Sequence, residues 1–165
     1  MKAVVVYESH WGNTAAVARA IAEGLGPAAR ALSTAQAKAE DVAGADLIVA
    51  GAPILGFSLP TESMLKDLGR KAGKHKAAPD LSHPSMRAWL EGLPRGEGRG
   101  AAFETRIKLT LGSAAGAIAR RLEKAGYNPI AKSQRFIVKG TYGPLKDGEL
   151  ERAKAWGAEL AKSLG

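Results

Sequence analysis

The groups in this chain best placed to hold an anion are Ser9-His10-Trp11-Gly12-Asn13-Thr14. They follow Lys2–Tyr7, a short apolar run rich in β-branched residues, and precede Ala15–Leu25, whose apolar residues recur with a helical period. A strand that turns into a helix through small and hydroxyl-bearing residues offers its first helical N–H groups to whatever sits in the turn. Those groups have no partner inside the helix, and the helix dipole favours negative charge beside them. Ser9, Asn13 and Thr14 can add side-chain hydrogen bonds, and Gly12 lets the backbone approach closely. An ordinary turn with an Asn or Thr cap uses the same residue types, so the rest of the chain must decide between the two.

The elements around the loop alternate. A weak second strand is expected near Ala28–Ser33, and Asp46–Ala52 reads as a buried parallel strand because it is apolar without alternation. Pro53–Pro60 is a loop, and a helix starts at Thr61. Residues 69–84 are polar, basic and broken by Gly73, Pro79 and Pro84, the pattern of a mobile insertion. A helix capped by Ser85 follows, then a fourth strand at Gly100–Glu104, with a loop over 104–112. A helix over Ser113–Ala125 closes at Gly126, a fifth strand spans Phe136–Gly140, and a terminal helix runs from Asp147 to Leu164. Five strands alternating with helices imply an α/β fold in three layers: a five-stranded parallel sheet between helices, in one domain over residues 1–165. A phosphate loop after the first strand fits the order 2-1-3-4-5, with the ligand outside the carboxyl ends of the strands.

Residues 9–14 resemble the phosphate loop of the flavodoxin family, whose pattern is T/S-x-T-G-x-T. Ser9, Gly12, Asn13 and Thr14 match, and Trp11 departs where a hydroxyl is usual. The resemblance implies a short-chain flavodoxin-like sandwich that binds FMN noncovalently and transfers electrons. It implies that Ser9, His10, Trp11, Gly12, Asn13 and Thr14 surround the phosphate. The loops after strands three and four would then hold the flavin ring, through Pro53, Ile54, Leu55, Gly56 and Phe57 on one side and Glu104, Thr105, Arg106 and Ser113 on the other. Gly56 would tolerate the positive φ of a peptide that bonds the ring, and Phe57, with Leu55 as the alternative, would pack on a ring face. The tyrosine usual on the outer face is missing, since no Tyr or Trp occurs from 90 to 126; Arg106 is the candidate to cover that face by planar stacking, with backbone N–H groups of 104–106 at the pyrimidine edge. The same departures leave open an FMN-dependent NAD(P)H or quinone-type reductase, or a binding module that has lost FMN.

Composition narrows the setting. With 45% hydrophobic and 24% charged residues, the 165-residue chain can bury a core. It has no cysteine, so thiol and iron–sulfur redox chemistry are excluded and electrons need a bound cofactor. No apolar run is long enough to cross a bilayer and no secretory signal opens the chain, which leads to the expectation of a cytoplasmic protein. The net charge of +8 is uneven: −1 over residues 1–60 and +9 over 61–165. Flavodoxins are typically acidic, so this reversal points to a redox partner with an acidic docking face. The cluster Arg70-Lys71-Lys74-His75-Lys76 has no interleaved aromatics, which argues against nucleic acid. His10, His75 and His83 lack metal-ligand spacing, Gly96-x-Gly98-x-Gly100 precedes rather than follows a strand, and a monomer or weak dimer is expected.

Overall fold

The sheet grows outward from its first strand. The computed structural model describes residues 1–165. Strand β1 (Ala3–Tyr7) lies between β2 (Arg30–Ser33) and β3 (Leu47–Pro53), and β3 pairs with β4 (Arg99–Ile107). The outer edge of β4 carries β5 (Asn128–Pro129) and β6 (Gln134–Val138), two pieces of one interrupted edge strand. All pairings are parallel and the order is 2-1-3-4-5, with β6 as the second piece of the fifth position.

Both faces of the sheet are covered, which explains the unbroken apolar runs of β1 and β3. Side chains alternate between two cores. Val4, Val6, Ile48, Ala50 and Ala52 pack with Met86, Leu90, Ile118 and Leu122 under α4 (Met86–Glu91) and α5 (Ala115–Lys124). Val5, Leu47, Val49 and Phe103 pack with Val17, Ile21, Trp156 and Leu160 under α1 (Asn13–Leu25) and α6 (Glu149–Leu164). The short α2 (Ala39–Val42) contributes Val42 to the first core. Helix α3 (Glu62–Arg70) buries no residue; it starts at Thr61, whose hydroxyl accepts the Met64 N–H.

The terminal helix is latched to the sheet edge by Glu149. Its carboxylate accepts the Ile137 N–H at 2.7 Å and pairs with Arg152, and the Arg152 hydrogen bond holds it below the usual carboxylate range. Helices α1 and α6 touch backbone to backbone at two glycines. A Cβ on Gly157 would stand 2.2 Å from the Ile21 carbonyl oxygen, and one on Gly24 would stand 1.9 Å from that of Lys154.

One strand is longer than its sequence suggests. Strand β4 continues to Ile107, so the loop begins only at residue 108. Glu104, Thr105 and Arg106 are polar, yet they stay in the sheet because each side chain finds a buried partner. With all strands parallel, the loops after β1, β3, β4 and β6 meet at one edge, and the chain leaves β1 through α1 toward β2 but leaves β3 toward β4, on opposite sides of the β1–β3 junction. That junction is the topological switch point, where α/β sheets open a crevice.

The helix crossing gives a prediction that opposes helix propensity. Ala is preferred over Gly inside a helix by about 1 kcal/mol. Gly157→Ala should nonetheless lower stability by about 2 kcal/mol, because the added methyl meets rigid backbone. Urea denaturation of the two proteins measures the difference.

Candidate functional site

The crevice at the switch point is a cleft of about 180 Å³, lined by four loops and the ends of three strands. Its floor is the turn from β1 to α1. Gly12 precedes the helix with φ +92°, which only glycine takes without strain, and no side chain caps the helix. The Ser9 hydroxyl sits inside the turn and accepts the N–H groups of Gly12 and Ala15, both at 3.2 Å. The N–H groups of His10, Trp11, Asn13 and Thr14 donate to no protein atom. Four free donors on one turn at a helix N-terminus form an anion cradle without any lysine or arginine.

Two ties hold this cradle in place. The buried Thr14 hydroxyl bonds that of Thr105 on β4 at 2.7 Å, joining α1 to the sheet. The carboxylate of Glu8, almost fully buried, accepts from Met86 N–H at 2.7 Å and pairs with His10 Nε2 at 2.8 Å. Trp11 packs edge-on against His75 and Tyr142, with ring centroids 5.5 and 5.2 Å away.

The walls are apolar with hydroxyl groups between. Pro53, Ile54 and Leu55 form one wall; Thr105, Arg106, Ile107 and Thr110 form the other, with Val138 and Thr141 closing the edge. Of the residues marked from sequence, Ser9, His10, Trp11, Asn13, Thr14, Pro53, Ile54, Leu55, Thr105 and Arg106 meet at this cleft. Ile107, Thr110, Val138 and Thr141 were missed. The first two lie just past the expected strand end, and Val138 and Thr141 belong to the end of β6 and the turn after it.

Other marked residues serve the walls from behind. Glu104 is fully buried: one oxygen accepts the N–H groups of Ala114 and Ala115 and the Ser113 hydroxyl, and the other pairs with Arg106 at 3.0 Å. Glu104 therefore caps α5 rather than facing the cleft. Arg106 is held by that carboxylate and by the Gly112 carbonyl, so its guanidinium is not free to lie over a ring. Backbone donors of 104–106 lie within the paired strand, which moves the free loop to 108–114.

Leu55 and Ser58 exchange both backbone hydrogen bonds across a two-residue turn of Gly56 and Phe57. Both central residues have positive φ, +55° and +70°; this is usual for Gly56 and costly for Phe57. The Phe57 carbonyl is pinned by the Ser113 N–H at 3.2 Å and abuts Gly112, where a Cβ would come within 1.9 Å. This strained turn leaves Phe57 66% exposed, and Leu109 and Leu111, on the loop whose Gly112 and Ser113 touch the Phe57 carbonyl, are exposed as well. Neither Gly56 nor Phe57 lines the cleft in this conformation. No group of His, Asp or Glu is arranged to hold a metal ion, and no helix is long and apolar enough to cross a membrane.

Comparison with known proteins agrees with this geometry. A family model described as flavodoxin domain matches residues 4–67, which contain the cradle and the first wall. No curated protein matches the sequence. A flavodoxin from the domain Archaea superposes with a TM-score of 0.67 at 24% identity, over 99% of both chains. Oxidised flavodoxin 2 from Bacillus cereus also gives 0.67, at 14% identity over 98% of this chain and 99% of that one. The rubredoxin oxygen:oxidoreductase of Desulfovibrio gigas gives 0.65 at 17% identity; this chain is matched over 98% of its length and spans 35% of that larger one. At these identities the superpositions show a shared fold.

The strained turn yields a test of its own. Phe57→Gly removes a left-handed side chain that buries little, and should raise stability by about 1 kcal/mol. Chemical denaturation in the absence of ligand checks the gain; a loss would mean that the exposed ring packs more than its surface area indicates.

Proposed function

We propose that this flavodoxin-like chain binds FMN at the switch-point cleft and transfers electrons through it. One observation carries the reading: four unpartnered N–H groups lie on the turn that floors an apolar cleft. The donor set fits the group. A phosphate monoester is met by N–H groups and by the side chain of Asn13, and a flat apolar ring system is met by Ile54 and Leu55 on one side and Ile107 and Thr110 on the other. FMN, when bound, supplies the one- and two-electron chemistry that the chain lacks.

The protein's own residues bind, orient and exclude water. His10, Trp11, Asn13 and Thr14 fix the phosphate end through backbone donors, so the ring end is placed by rigid strand termini rather than by loops alone. The Thr14–Thr105 hydrogen bond couples the phosphate turn to the wall that faces the ring. No aromatic side chain lines the β4 wall, so a flavin held there would have no stacking ring from that wall between it and a partner. Phe57, Leu109 and Leu111 are exposed on the loops after β3 and β4, and the net charge of +9 over residues 61–165 favours a redox protein with an acidic docking face. Electron delivery to such a partner in the cytoplasm is the role these features support.

Titrating ligand-free protein with FMN and following flavin fluorescence tests the proposal. One equivalent should quench saturably at micromolar concentration or below. Riboflavin, which lacks the phosphate, should bind about a hundredfold more weakly, because several charge-assisted hydrogen bonds are forfeited. No saturable binding at micromolar FMN would overturn the reading.

A further inference from the structure

All three histidines of the chain gather around the anion cradle. His10 belongs to it, and His75 and His83 reach it from residues 71–84, a stretch with no helix longer than the single turn Ala72–Lys74. This stretch is tied to the cradle by three hydrogen bonds. Asp80 N–H donates to the His10 carbonyl at 2.7 Å, Trp11 Nε1–H donates to the Ala77 carbonyl at 2.9 Å, and Ser9 N–H donates to His83 Nε2 at 3.0 Å. The departure at Trp11 thereby gains a reason: its indole trades a hydroxyl for an anchor on the 71–84 stretch.

The bond to His83 differs from the other two. It takes up a backbone donor of the turn itself, at the residue whose hydroxyl accepts from Gly12 and Ala15. Because Nε2 accepts, the ring is neutral and its proton sits on Nδ1. That nitrogen is sealed from solvent and has no partner; the nearest carboxylate, Asp80, is 4.0 Å away. Leaving a buried polar atom unsatisfied costs free energy, and such an atom in a native fold calls for a reason. The titratable groups about the ring are Asp80 from the same stretch, Glu8 from the end of β1 and His10 from the cradle, with Glu62 and Lys66 of α3 lining the same cavity. Burial outweighs the Asp80 and Glu8 carboxylates and holds the imidazole below its ordinary pKa.

We propose that His83 is a positioning residue for the anion site: as a neutral acceptor for the Ser9 N–H, it anchors the residue that organises the turn, and so fixes the direction of the four free donors. The proposal rests on the phosphate reading of the cradle. It also sets a sign. The neutral ring is the competent form, and its pKa is lower in the fold than in the unfolded chain. Its contribution is complete above about pH 6.5 and is lost as pH falls through the folded value, where a proton on Nε2 would confront the Ser9 N–H.

The experiment measures FMN and riboflavin affinity from about pH 8 to about pH 5 for the wild type, His83→Leu and His83→Gln. Imidazole 15N spectra of the ligand-free wild type accompany it. His83→Leu should weaken FMN about tenfold at neutral pH and leave riboflavin nearly unchanged. His83→Gln, whose amide oxygen accepts at every pH, should recover most of that loss, and its FMN profile should keep only the phosphate's own titration near about pH 6. The wild type should show an additional fall, and the spectra should show the Nδ1–H tautomer with the Ser9 amide moving as the ring titrates. Undiminished FMN binding by His83→Leu, an Nε2–H tautomer, or a wild-type profile that stays identical to that of His83→Gln while the spectra show the ring taking up a proton would each overturn the proposal. If the wild type binds no FMN, the functional reading falls, and the tautomer and the Ser9 amide still decide what His83 does.

Discussion

A helix that begins at a sheet edge leaves backbone N–H groups with nothing to bond, and much of this molecule is arranged around four of them. The usual remedy is a capping side chain. Here the one hydroxyl that enters the turn, from Ser9, is spent on Gly12 and Ala15, and the donors of His10, Trp11, Asn13 and Thr14 are left facing the cleft. A turn built this way is stable only if its surroundings hold it. Glu8, His83 and Thr105 do so from β1, from the 71–84 stretch and from β4, each through a buried or half-buried hydrogen bond.

The fold keeps that turn in place by crowding small residues. Ala50, Ala52, Ala101 and Ala102 line the middle of the sheet, and Gly24 and Gly157 let α1 and α6 meet backbone to backbone. Helix α1 is therefore fixed along its length by α6 and at its start by Thr105, so the N-terminal donors cannot drift from the strand ends that form the walls. Strain is placed at the opposite rim. Phe57, in the loop after β3, holds a left-handed conformation with its side chain exposed, and Gly112 and Ser113 pin its carbonyl. Strained residues of this kind gather where a ligand or partner is met.

Sheet order, both flanking layers and the cradle were legible from sequence because each rests on local pattern: β-branched runs, helical periods, and Ser9, Gly12 and Thr14 at fixed offsets. The second wall was not. Strand β4 looked as if it should end where Glu104 and Arg106 interrupt the apolar run, since charged residues rarely sit in a sheet interior. What holds them there is the N-terminus of α5, ten residues away in sequence, which no local pattern reveals. The role of residues 71–84 was hidden for the same reason. Their composition reads as a loop, while their meaning lies in bonds to Ser9, His10 and Trp11 more than 60 residues earlier in the chain.

In the proposed flavin site these four N–H groups are the atoms that bind the phosphate. Amide 1H–15N spectra with one equivalent of FMN test it most directly. Large downfield shifts are expected for His10, Trp11, Asn13 and Thr14, because a dianion accepts their hydrogen bonds, and no such shifts with riboflavin. FMN that saturates the protein without moving those four amides would contradict it.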